Sequence, residues 1–233
     1  MANKYALEWD KDGQKQYELG VKNGVLYKWD ATAEKWLGVA WNGLISVTES
    51  PDGAEENELW ADNIKYGGIR SAEKFSGSIE AYTYPEEFEG CDGLARPANT
   101  VGLAISQQKR EVFGLCYRTE IGNDMDPEAG YRLHLVYKAT CSPSEKSYET
   151  INDSPDAITF SWDFDTNPIN IEAEGFKPTA HLTIDSTDFK TEAEKALLLA
   201  LEQKLYGKPA EGQDAAVAAY LPLPDEVIAT LTP

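Results

Sequence analysis

Side chains suited to chemistry are few in this chain. Two histidines, His134 and His181, and three cysteines, Cys91, Cys116 and Cys141, stand among 40 Asp plus Glu residues. Both histidines fall in segments that read as strands, where an imidazole is normally solvent-facing or hydrogen-bonded in a core. No serine and acid accompany them in a compelling catalytic triad. With so many acids some carboxylates will pair by chance, so a glycosidase reading has no specific signal. Asp124-x-Asp126-x-Glu128 has the look of a calcium loop but lacks the glycine and terminal glutamate of an EF-hand. The Gly and Pro around it make it a hairpin tip instead. The cysteines form no CxxC pair, and with two histidines and no clustered ligands a zinc site is not expected. No Walker A or dinucleotide fingerprint occurs. The expectation is a protein without catalytic residues, cofactor or metal, whose cysteines are three free thiols made in a reducing cytoplasm.

The elements that would carry these residues are mostly strands. Ile158, Phe160, Trp162 and Phe164 alternate with Thr159, Ser161 and Asp163, and Ala180, Leu182 and Ile184 alternate with Thr179, His181 and Thr183. Segments 25–29, 41–47, 74–84, 113–118 and 132–137 are aromatic and β-branched enough to join them. Asp12-Gly13 and Asn23-Gly24 are dipeptides favoured in two-residue hairpin turns. One segment, 191–206, switches to helical spacing: Ala193, Leu197, Leu201 and Leu205 recur at i+4 with Glu and Lys opposite. Thr191 and Glu194 can form a capping box, and Gly207 stands where a left-handed C-terminal cap belongs.

Composition narrows the function classes. Lys plus Arg total 21 against 40 acids, a net charge of −19, which opposes binding to nucleic acid or anionic membranes. Hydrophobic content of 42% with six Trp and twelve Tyr argues for a folded chain. The longest apolar run, 196–201, is far too short to cross a bilayer, and the amino terminus lacks a secretory h-region. Tryptophans can stack on sugars, so a carbohydrate-binding β-sandwich is the alternative from another class. Trp29 and Trp162, however, fall at inward-facing strand positions. Two long connections, 48–71 and 85–109, read as loops, with 101–105 a short strand-like run inside the second. Large apolar residues within them, Leu59, Trp60, Ile64, Tyr66 and Phe88, are the candidate contacts to other subunits.

Strings along most of the chain resemble the major tail proteins of long, non-contractile-tailed bacteriophages. They include Gly24-Val25-Leu26-Tyr27, Trp41-Asn42-Gly43-Leu44, Thr48-Glu49-Ser50-Pro51 and Ala61-Asp62-Asn63-Ile64-Lys65-Tyr66. Others are Ile79-Glu80-Ala81-Tyr82-Thr83-Tyr84-Pro85-Glu86-Glu87-Phe88, Phe113-Gly114-Leu115-Cys116-Tyr117-Arg118-Thr119, Ile121-Gly122-Asn123-Asp124, Asn152-Asp153-Ser154-Pro155 and Leu221-Pro222-Leu223-Pro224. The stretch 203–219 matches least.

The resemblance implies a two-sheet antiparallel β-sandwich of the tail-tube type, with one flanking α-helix at about 191–206. It implies a single domain over 1–233 ending in an extended segment, 208–233. It further implies homo-hexameric rings that stack into the tail tube of a virion, around a tape-measure protein and beside tail-tip or terminator proteins. DNA would pass through without specific binding. A barrel of ~24 strands at ~4.8 Å spacing and ~40° tilt has a backbone diameter of about 48 Å, wide enough for a duplex.

Overall fold

Alternating strands build an antiparallel β-sandwich. The computed structural model describes residues 7, 9–151, 156–210 and 216–232; the string 152–155 and the first five residues lie outside that set. In chain order the elements are β1 (Tyr17–Asp30), β2 (Lys35–Trp41), β3 (Leu44–Glu49), β4 (Asp52–Gly53), β5 (Glu56–Ala61), β6 (Ile64–Arg70), β7 (Glu73–Lys74) and β8 (Ser76–Ala81). After a long connection come β9 (Phe113–Gly122), β10 (Gly130–Cys141), β11 (Phe160–Thr166), β12 (His181–Asp185), α1 (Glu192–Tyr206) and α2 (Pro224–Leu231). Among the described residues no helix is long and apolar enough to cross a membrane.

The main ladder runs β2-β1-β9-β10-β11-β8-β3, and β12 also pairs with β10. Strand β10 is the fork. Its Arg132–Val136 half pairs with β12, and its Ala139–Cys141 end pairs with β11. Between them the register against β9 slips at Val136/Ala139, where Lys138 takes φ 46°. Such a bulge bends and twists a strand, and here it carries β11, β8 and β3 over the face of β1 and β9. The two layers of the sandwich are therefore joined through one hydrogen-bonded ladder.

Alternation along β1, β9 and β10 splits the core in two. Leu26, Phe113, Leu115, Tyr117 and Val136 point between the layers, where they meet Trp41, Ile79, Phe88, Trp162 and Phe164. Val25, Tyr27, Cys116, Leu133, Leu135 and Tyr137 point to the other face, covered by Leu198, Leu201 and Leu205 of α1 and by Val227 of α2. The capping box forms as expected: Thr191 Oγ1 accepts from the Glu194 amide at 3.2 Å, and Glu194 Oε2 accepts from the Thr191 amide at 2.8 Å. Gly207 has the expected positive φ of 81°, but its ψ of 166° is extended, so the helix ends without a left-handed turn.

Several expectations are corrected. Segment 48–71 is no loop: after β3 ends at Glu49 it forms β4, β5 and all of β6. In 85–109 the run at 101–105 makes only one isolated bridge, Ala95–Ile105. The terminal segment is not extended throughout, since Pro at the first turn of α2 starts a helix. Asn23-Gly24 lies inside β1, at a register shift against β9 with Asn23 at φ 53°, and so makes a bulge where a hairpin was expected. Trp162 is buried as expected, whereas Trp29 is 52% exposed and packs edge-on against Trp36.

Candidate functional site

The most distinctive surface is the arm made by β5 and β6. These strands pair only with each other, through a tight turn in which Asp62 and Asn63 both take positive φ (50° and 64°). Positive φ at both central residues defines a type I′ turn, whose twist suits a hairpin, and Asp and Asn tolerate that backbone better than most residues. A salt-bridged end stiffens the arm: Lys65 Nζ lies 2.9 Å from Glu56 Oε1 and 3.0 Å from Glu58 Oε1. Leu59, Trp60, Ile64 and Tyr66 all stand exposed on it, Trp60 at 65% and Tyr66 at 77%. The structure adds Ile69, also exposed there, whose isolation between Gly68 and Arg70 gave no sequence signal. Phe88 is corrected: it is fully buried, packed against Trp41, Phe113 and Trp162, and cannot meet another subunit.

At the root of the arm lies a second constellation. Cross-strand register sets it: His134 stands opposite Tyr117 on β9 and opposite Thr183 on β12, which brings His181 to the diagonal position on the same face. Four rings follow one another: Tyr117 on His134 (4.5 Å), His134 on His181 (5.6 Å), and His181 on Phe75 (4.4 Å). Glu49, the last residue of β3, reaches into this column. Its Oε1 accepts from the Tyr117 hydroxyl at 2.5 Å and lies 3.2 Å from His134 Nδ1 and 3.6 Å from His181 Nε2. The His134 imidazole beside it, with the Tyr117 hydroxyl, outweighs burial and holds the Glu49 carboxyl down at about 2. Burial pushes the His181 imidazole down to about 4, against the attraction of Glu49. Thus the two histidines do converge with an acid, contrary to the expectation of no clustered ligands. The signal was out of reach, because only strand register joins Glu49 to the histidines.

The remaining candidates fall as expected. Loop 123–129 is a hairpin tip: Asn123 Oδ1 accepts from the amides of Met125 and Asp126, and Asp126 Oδ1 accepts from that of Glu128. Cys91, Cys116 and Cys141 are free and buried. Burial pushes the Cys91 and Cys116 thiols up to about 12 and raises Cys141 as well, so none is a nucleophile at neutral pH.

No protein-family model matches this chain, and no curated protein matches it. Among solved structures it is similar to a chain of an extracellular contractile injection system, the PVC sheath–tube complex in its extended state, seen by cryo-electron microscopy. Identity is 11%, the match covers 70% of this chain and 88% of that one, and the TM-score is 0.32. At that score the overlap is loose, and the assembly described there belongs to that complex.

Proposed function

We propose that this protein is a structural subunit that assembles with copies of itself into the tube of a phage tail. The observation that carries the reading is the β5–β6 arm. A lone two-stranded hairpin is marginal in water, and this one spends Leu59, Trp60, Ile64, Tyr66 and Ile69 on solvent instead of on the core. Exposed apolar surface gathered on one projecting element marks a contact with another chain. The ladder supplies a second kind of contact. Segment 219–221 lies along the outer edge of β2, with Gly38 donating to Ala219 and Leu221 to Trp36. The outer edge of β3 pairs with no strand among the described residues, and such an edge accepts a strand from a neighbour. The sequence resemblance supplies the finer terms: hexameric rings, ring stacking, a tape-measure protein within, tail-tip or terminator proteins at the ends, and DNA passing without specific binding. The acidic balance of −19 fits a conduit that DNA slides through. No catalytic role belongs to this reading.

Negative-stain electron microscopy of concentrated protein tests it. Rings or tubes are expected; a uniform field of single small particles would contradict it. The alternative of a sugar-binding module draws on exposed Trp29, but its partner Trp36 meets it at 63°, which offers no flat platform to a sugar ring.

A further inference from the structure

We propose that Glu49, His134 and His181 form a binding site for a divalent transition-metal ion of the zinc class. The inference is independent of the assembly reading. Both histidines of the 233-residue chain converge on one carboxylate oxygen. The three candidate ligand atoms lie within 4.8 Å of one another. Zinc takes nitrogen at about 2.0–2.1 Å and carboxylate oxygen at about 2.0–2.2 Å, so tetrahedral ligands stand about 3.4 Å apart. The two ligand pairs through Glu49, at 3.2 and 3.6 Å, bracket that spacing.

Hydrogen bonding around the site calls for a cation. Thr119 donates its hydroxyl hydrogen to Glu18, so toward His134 Nε2, 3.1 Å away, its oxygen can only accept. Nε2 therefore carries the hydrogen in that contact, and Nδ1 lies 3.2 Å from Glu49 Oε1 without hydrogen-bond geometry to it. His134 Nδ1 and His181 Nε2 are both buried without a hydrogen-bond partner, and the His134 side chain is only 9% exposed. Unpaired buried polar atoms are costly and rare. One dication placed among them would satisfy both nitrogens and the oxygen.

The surroundings match a metal centre in kind. Thr119 orients His134 from behind, and Tyr117 donates to the ligating carboxylate, as outer-shell groups do around zinc. Two histidines and a glutamate leave a fourth position, and the Glu49 side chain, 35% exposed, opens it to solvent. The imidazole planes lie 12° from parallel, whereas a shared metal needs each lone pair in its own ring plane. Binding therefore turns at least one imidazole about its Cβ–Cγ bond, a soft torsion, and loosens its stacking on Tyr117 or Phe75. Because Glu49 ends β3, the ion would tie the chain leading into the arm to β10 and β12.

The test uses untagged full-length protein, stripped with a chelator and titrated with zinc chloride by calorimetry and with cobalt chloride by visible absorption. One ion per chain is expected, with tetrahedral cobalt bands and a change in the near-ultraviolet circular dichroism of Tyr117. His181→Gln and Glu49→Gln should each weaken binding more than tenfold. Thr119→Val, which removes no ligand, should weaken it about 10–100-fold. Far-ultraviolet circular dichroism of each variant checks that it is folded. No uptake by the wild-type chain at millimolar zinc would overturn the site. So would uptake that survives unchanged in a folded His134→Gln/His181→Gln double variant, since the ion would then sit on surface acids.

Discussion

Trp162 and Trp60 are the same side chain in opposite circumstances. Trp162, on β11, is fully buried amid Trp41, Tyr84, Phe88 and Phe160. Trp60, on β5, meets solvent with 65% of its surface, and its indole N–H reaches only Glu58 Oε2 at 3.2 Å. The sandwich buries most of its aromatic residues; the arm holds its own outward. Stability of the subunit should therefore reside in the first region and association in the second.

Substitutions can break that division. Trp162→Ala should cost about 3–5 kcal/mol, the usual loss for a buried aromatic residue, read by urea denaturation. Thr191→Ala removes the N-terminal cap of α1 and should cost about 1 kcal/mol. Asp185, at the end of β12, gives a smaller, pH-dependent effect. Burial pushes its carboxyl up, yet hydrogen bonds from Thr187 and Arg132 outweigh that and hold it below the usual range. Since the folded value lies below the unfolded one, this stabilisation is present above about pH 4 and is lost as pH falls through the folded value. Asp185→Asn should flatten that acid limb while costing less than about 1 kcal/mol at neutral pH. Trp60→Ala should change subunit stability least, by under about 0.5 kcal/mol, and assembly most. A loss of several kcal/mol there would show that the arm belongs to the core.

The difference between the regions also explains what could be read from the chain. Alternation in 158–164 and 179–184 marks strands because one face is buried against a constant partner, so residue type follows position. The i+4 leucines and the Thr191/Glu194 pair mark α1 for the same reason. The arm escapes, because no face of it packs on the core; its apolar residues are interleaved with acids and glycines, and the Asp62-Asn63 turn lacks the usual glycine. Phe88 misleads in the opposite sense: it sits in a polar, Pro- and Glu-rich stretch, yet the short helical turn at Glu86–Phe88 drops it into the core. The histidine cluster depends wholly on register, in which Thr183, and not His181, stands opposite His134.

Charge sets the conditions under which association should appear. Six copies of a −19 chain would carry −114, from 6 × −19. Salt screens charges more than ~8 Å apart at physiological strength, while apolar contact through the arm is not weakened by it. Sedimentation velocity of concentrated wild-type protein, beside a Trp60→Ser/Tyr66→Ser variant across a salt series, tests the central claim most directly. The wild type should form fast-sedimenting assemblies that grow with salt, and the variant should stay at the 25.8 kDa of one chain. A wild type that remains at that mass throughout, or a variant that assembles equally well, would contradict the claim that the arm joins one subunit to the next.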